Sequence, residues 1–208
     1  MKKRRVLVLS PHPDDEAIGC GGTLRWHVEQ GDQIQVIFLT SGEQGVRGQD
    51  PKQTSRIRME EAKAAAKVLG YRSLEFWREP DGAMKLTRSL LKRMNEKLRA
   101  WNPSLVFAPH SREMHPDHRA TARLIRRAME ETKSAAEVRL YEVWTPLQQI
   151  DHVQDISRQM DIKQAAIRAH RSQCVIMRFD ESARALARYR GEMHSWPGGP
   201  YAEVFAQL

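Results

Sequence analysis

The sequence predicts an α/β fold, a mostly parallel sheet between two layers of helices. Three observations carry this reading. Short runs of branched apolar residues alternate with longer stretches of helical periodicity. That βαβα order requires crossover connections, and so parallel pairing of the strands. The chain has 208 residues, 40% hydrophobic and 29% charged, which fits one globular domain spanning residues 1–208 with a real core.

The elements follow in order. Val6-Leu7-Val8-Leu9 marks a buried first strand within residues 5–10, and a helix over 16–30 is closed by Gly31. Residues 33–39 read as the second strand. The polar, glycine-containing stretch 40–52 is long for a connection in a compact fold and is a candidate functional loop. Ala62, Ala64, Ala65 and Ala66 favour a helix over 54–69, which Gly70 ends. A short strand is expected at 74–77, an amphipathic helix at 87–100 and a strand at 104–108. Pro116 opens a helix over 116–131, where its missing N–H costs nothing. A strand at 138–143 follows. Beyond about residue 150 the spacing predicts helices at 156–170 and 180–193 and a final strand at 202–206.

Two polar clusters stand at strand ends. His12, Asp14, Asp15 and Glu16 follow the first strand; His115, Asp117 and His118 follow the run Leu105-Val106-Phe107. In parallel α/β sheets ligands sit beyond the carboxyl ends of the strands, so both clusters and the 40–47 loop point to one rim. Imidazoles and carboxylates suit zinc or a related divalent metal. His12, Asp15 and His118 supply two nitrogens and one oxygen, leaving an open position for water. Asp14 neighbours a ligand without needing to bind, which suits a general base. His115 can polarise a carbonyl or stabilise an oxyanion. Asp117 is expected to hold the tautomer of His115, and Glu16 to support His12 or the water. His27, His152 and His170 read as surface or packing residues, while His110 and His194 are left undecided. Gly19-Cys20-Gly21-Gly22 is neither a dinucleotide fingerprint nor a P-loop; it reads as close packing of the first helix on the sheet.

The formal net charge is +8, with the basic residues dispersed along helical stretches beside Glu or Ala. They read as solvated helix faces, so no nucleic-acid partner is expected. The excess mildly favours an anionic substrate. No apolar stretch approaches the length of a membrane span, and MKKRR is followed by too short a run for a signal peptide. Cys20 and Cys174 lack CxxC spacing and read as free thiols in a reducing compartment. A cytoplasmic protein is expected. Its oligomeric state is left open, a homo-oligomer included.

The chain resembles the LmbE-like (PIG-L) family of zinc-dependent N-acetylglucosaminyl deacetylases. The resemblance lies in PHPDDEAIGCGGTL, the TSGE of residues 40–43, and the helix containing Arg58, Glu61, Ala65, Ala66, Leu69 and Gly70. It continues through Asp81-Gly82, HPDH at 115–118, Tyr141-Glu142, His170 with Ser172-Gln173, and the terminal YAEVF. It implies a Rossmann-like α/β/α fold, a single divalent metal, usually zinc, and hydrolysis of an acetamide on a small amino-sugar conjugate. By motif position His12, Asp15 and His118 are then ligands, Asp14 the general base and His115 the electrostatic partner. Arg58 and Asp81 match positions that look like sugar or aglycone contacts. The family's C-terminal part shapes the substrate pocket, which gives the chain beyond about residue 150 a place on the substrate side; WPGGPY at 196–201 is a candidate lid whose place is left open. The alternative is an amidase that cleaves a larger acyl group or a thiol-conjugate amide. Zinc, iron, cobalt and manganese all accept two His and one carboxylate.

Overall fold

A computed structural model describes residues 3–194 and 198–208. Five parallel strands form most of the sheet: β1 (Arg5–Ser10), β2 (Gln33–Thr40), β3 (Ser73–Glu79), β4 (Leu105–Pro109) and β5 (Glu137–Tyr141). Two antiparallel strands, β6 (His152–Asp155) and β7 (Ala202–Gln207), complete the seven-stranded order β3-β2-β1-β4-β5-β7-β6. The helices are α1 (Asp15–Glu29), α2 (Pro51–Leu69), α3 (Arg88–Trp101), α4 (Pro116–Thr132), α5 (Met160–Ala169), α6 (Arg171–Cys174) and α7 (Phe179–His194).

Helices α1, α2, α5 and α7 cover one face and α3 and α4 the other, so the three-layer α/β/α arrangement is present. Side chains alternate across each strand, and β1 shows the result. Val6 and Val8 join the core beneath α1 and α2, whereas Leu7 and Leu9 join the core beneath α3 and α4. All four are fully buried. Burial on both faces is what makes the strand read as a continuous apolar run.

Local signals set the helix ends. The Asp50 carboxylate caps α2 by accepting from the Gln53 N–H, Pro51 opens it, and Gly70 closes it at φ +92°. Helix α1 breaks at Cys20 (φ −142°, ψ 17°). There the glycines pack closely: a Cβ on Gly19 would meet the Tyr141 ring at 2.3 Å, and one on Gly22 would meet Ile156 at 2.7 Å. The groups freed by the break are taken up by a buried ion pair. Glu203 accepts from the Gly22 and Thr23 N–H groups (2.9 and 2.7 Å), and Lys163 Nζ donates to the Ile18 carbonyl (2.7 Å).

The expected helix over 156–170 is present as α5, which starts at Met160 and is followed by the short α6, but strand β6 precedes it where no strand was expected. His152-Val153-Gln154-Asp155 is short and mostly polar and carries no periodicity of its own. Pairing with β7 decides its conformation. Of the WPGGPY segment, Trp196 and Pro197 lie outside the described residues; Tyr201 packs against a small cluster of Ile156, Met160 and Ala187. No helix among the described residues is long and apolar enough to cross a membrane.

Candidate metal and catalytic site

Strand β1 has β2 on one side and β4 on the other. The chain leaves β1 toward β2 and later returns to β4, so the carboxyl ends of β1 and β4 flank the point where the sheet reverses direction. A crevice opens there in doubly wound sheets. The PHPDDE turn leaves β1 and HPDH follows β4, which brings together two motifs about a hundred residues apart.

The first turn is tightly built. Asp14 adopts φ 149°, ψ −28°, a strained backbone for a residue with a side chain. The Ser10 hydroxyl lies 2.7 Å from the His12 carbonyl and accepts the Glu16 N–H at 3.1 Å. Glu16 is fully buried and accepts from the Tyr71 hydroxyl at 3.0 Å. Burial, with the Asp14 charge nearby, pushes its pKa up to about 8, so its carboxyl is largely neutral at pH 7. Glu16 therefore braces the turn from beneath, away from His12.

Three donor atoms converge above it. His12 Nδ1 and His118 Nε2 lie 3.0 and 3.1 Å from Asp15 Oδ2, and 3.4 Å from each other. Ligands placed tetrahedrally at about 2.0–2.1 Å from an ion are about 3.3–3.4 Å apart, so this spacing fits a divalent metal. The remaining ring nitrogens face carboxylates, as metal-ligating imidazoles usually do. His12 Nε2 is 3.1 Å from both Asp81 Oδ1 and Asp117 Oδ2. His118 Nδ1, which has no hydrogen-bond partner, faces Glu113 Oε2 at 3.7 Å. Burial opposes charge on His12, but Asp15, Asp117 and Asp81 around it carry its pKa well above the usual histidine value. Burial likewise opposes charge on Asp15, and His118 and His12 outweigh it, holding that carboxyl well below the usual range.

Two other groupings, His12 with His115 and His118, and His12 with Asp81 and Asp117, also bring donor atoms within 4.8 Å of one another. The chemistry of the Asp15 grouping is the tighter fit. Asp117 and Asp81 are committed elsewhere: Asp117 accepts the Gly82 and Met84 N–H groups (2.7 and 3.0 Å), and Asp81 accepts that of Gln44 (2.8 Å).

His115 stands across the pocket with its ring edge-on to His12, centroids 4.6 Å apart. It caps α4: its Nδ1 accepts the Asp117 N–H at 3.3 Å. The Asp117 carboxylate, expected on His115, lies on His12 instead. The backbone N–H performs the tautomer-fixing role, because a helix N-cap residue faces the first free amides of its helix. Nε2 of the neutral ring must then carry the proton. Burial, with the charges of His12 and His118, holds the His115 pKa below the usual value.

Asp14 is buried beside the triad. Burial raises its pKa to about 6, with Arg58 pulling the other way and Asp15 adding to the rise. Arg58 is 3% exposed. Its Nη2 donates to Asp14 Oδ2 (3.0 Å) and the Pro13 carbonyl (2.9 Å), and its Nη1 to the Gly42 carbonyl (3.2 Å). The expected substrate contact is thus also a clamp between the PHPDDE turn and the 41–50 loop. Gly42 (φ +65°) and Gly45 sit against the guanidinium, where a Cβ would come within 2.4 and 2.5 Å of Nη1.

These groups border a cavity of about 280 Å³. Its polar floor holds His12, Asp14, Asp15, Arg58, Asp81 and His115. Its opposite wall is apolar: Ile18, Val143, Trp144, Ile176, Met177 and Phe179. Sequence reasoning missed Glu113, which is 1% exposed and accepts the Val143 and Trp144 N–H groups at 2.6 and 3.1 Å. Its signal was an acidic residue just before HPDH in a short loop. His170 is fully buried with no hydrogen bond at either ring nitrogen, His110 Nε2 donates to the Thr145 carbonyl (2.7 Å), and His194 is exposed.

Residues 7–129 match the PIG-L family, described as GlcNAc-PI de-N-acetylase. The diacetylchitobiose deacetylase of Thermococcus kodakarensis is 29% identical over 224 residues, covering 96% of this chain and 81% of the relative. Among solved structures, the N,N'-diacetylchitobiose deacetylase of Pyrococcus horikoshii superposes with a TM-score of 0.88 at 26% identity, covering 99% of this chain and 84% of the other. GalB, the 4-carboxy-2-hydroxymuconate hydratase of Pseudomonas putida KT2440, does so with a TM-score of 0.88 at 26% identity, covering 99% and 96%.

Proposed function

The chain belongs to the PIG-L (GlcNAc-PI de-N-acetylase) family, and on that premise we propose that it is a hydrolase that removes the acetyl group from an N-acetylglucosaminyl conjugate, releasing acetate and a free amine. The observation that supports it best is the triad of His12, Asp15 and His118, with donor atoms 3.0–3.4 Å apart beside the buried carboxyl of Asp14.

In this reading His12 Nδ1, Asp15 Oδ2 and His118 Nε2 hold the metal, zinc in the first instance, although Fe²⁺ suits the same donors. A divalent ion there would lower the pKa of a bound water and polarise the acetamide carbonyl. Asp117 and Asp81 fix the orientation of His12, and Glu113 that of His118. Asp14, with a pKa of about 6, is mostly ionised at pH 7 and close enough to neutrality to take a proton from water and return it to the leaving amine. His115 donates its Nε2–H to the oxygen that gains charge as the carbonyl carbon is attacked. Arg58 holds Asp14 in its strained conformation and reaches the substrate only by its edge. Asp81 borders the cavity and contacts the sugar as well as His12.

The described part of the chain is read as one domain of a cytoplasmic enzyme. Its free cysteines are in keeping with a reducing compartment. Its partner is a small amino-sugar conjugate.

The test is acetate release from a panel of N-acetylglucosaminyl conjugates, after chelation and after zinc is restored. Acetate that appears only with metal supports the reading. Metal binding without acetate from any conjugate would turn attention to a larger-acyl amidase or to a hydratase like GalB.

A further inference from the structure

The catalytic cavity does not end at its polar floor. Five residues of its apolar wall, Ile18, Val143, Trp144, Met177 and Phe179, also border a second cavity of about 220 Å³. That cavity continues along α7 past Ala183, Leu186 and Ala187. Trp144 and Phe179 meet edge-to-face, centroids 5.5 Å apart, and fix the wall between the two spaces.

The rim is apolar as well. Val175, Ile176 and Met177 are consecutive and 83%, 59% and 44% exposed. A run of exposed apolar residues is unfavourable unless something covers it. Ile176 and Met177 line the catalytic cavity, so whatever covers them is continuous with the bound substrate. The charges bordering the second cavity are already satisfied. Lys163 Nζ is 2.5 Å from Glu203, and Arg190 makes two bonds to Glu142, at 2.9 and 2.7 Å. They leave no unpaired cation for an anionic group, despite the overall charge of +8.

We infer that this wall and the second cavity form an aglycone subsite, and that the substrate is an N-acetylglucosaminyl conjugate whose aglycone carries an uncharged alkyl or aromatic group. The inference rests on the deacetylase reading. An acetyl group extends one carbon beyond its carbonyl, so only the aglycone side of the substrate is large enough to reach across the wall. Met177, unbranched and half-exposed, borders both spaces and adapts to the group that enters.

The experiment compares kcat/KM for N-acetylglucosaminides bearing methyl, octyl and carboxylate-containing aglycones. Each buried methylene is worth about a factor of four. Seating only two or three of the added seven gives the octyl glycoside a gain of about tenfold or more, carried by KM. Leu186→Gln, at a residue that borders the second cavity and not the first, brings the octyl-to-methyl ratio toward one. Equal kcat/KM across the aglycones, preference for the carboxylate, faster cleavage of an N-octanoyl than an N-acetyl group, or an octyl gain untouched by Leu186→Gln would overturn the inference. So would self-association of the protein that Ile176→Glu abolishes, which assigns the rim to a second copy of the chain. Calorimetric titration of the octyl and methyl glycosides into chelator-treated protein separates this from the reaction itself. If no glycoside yields acetate, the deacetylase reading fails; tighter octyl binding, lost in Leu186→Gln, still upholds the subsite, and equal binding overturns it.

Discussion

His170 closes α5 beneath the site, fully buried, with no hydrogen-bond partner on either ring nitrogen. Burial pushes its pKa down to about 3, and the Arg58 charge adds to the effect. In the unfolded chain a histidine titrates near 6.5. The unfolded state therefore takes up the proton first. The resulting stability is fully present above about pH 6.5 and is lost as the pH falls toward about 3. The gap between the two values corresponds to about 5 kcal/mol in full, of which about 2 kcal/mol is lost by pH 5. His170→Leu removes both the titration and two unsatisfied buried nitrogens, each of which costs about 1–3 kcal/mol. The variant should be at least as stable as the parent at pH 7.5. Urea unfolding of both proteins at pH 7.5 and pH 5 should show the parent losing about 2 kcal/mol more than the variant over that interval. His27, His115 and His152, whose pKa values burial also lowers, are present in both proteins and cancel. Equal losses would refute the reasoning and mean that His170 is hydrated or paired in solution.

Three further outcomes are expected at the site. Asp14→Asn, chosen because asparagine tolerates positive φ better than alanine, should retain metal on elemental analysis while kcat drops by about 10²–10⁴; loss of metal would make Asp14 a ligand. His118→Ala should lose metal affinity in a competitive chelator titration, and unchanged stoichiometry with full affinity would remove it from the ligand set. Arg58→Lys keeps the charge but cannot reach Pro13, Asp14 and Gly42 together. Losing one or two charge-assisted hydrogen bonds of about 1.5–3 kcal/mol each should lower kcat by at least about tenfold with little change in KM, whereas a change confined to KM would return Arg58 to a substrate contact.

Much of the fold was legible because its signals are local. Val6–Leu9, the alanine-rich α2 with Gly70 behind it, and Pro116 at the start of α4 each state their conformation within a few consecutive residues. The packing of Gly19 and Gly22 was legible for the same reason: small residues inside a helix mark a close neighbour. Strand β6 was not, since a four-residue segment with a single apolar side chain, Val153, becomes a strand only by pairing with β7. Glu113 was hidden because its importance lies in what stands opposite it. Arg58 entered through resemblance, and only the structure placed it between Pro13, Asp14 and Gly42.

The sequence by itself determined the alternation of strands and helices, the two polar clusters at strand ends and the metal-binding character of their side chains, because periodicity, capping and ligand chemistry are properties of neighbouring residues. The tertiary structure decided the rest. The sheet order places β1 beside β4, and this brings His12 and Asp15 within 3.4 Å of His118. The capping geometry of α4 turns the Asp117 carboxylate to His12 and leaves its N–H for His115. The return of the chain after β5 sets Trp144, Met177 and Phe179 around the cavity. These contacts join segments that are distant along the chain, and their partners are fixed only when the sheet closes and its faces are buried.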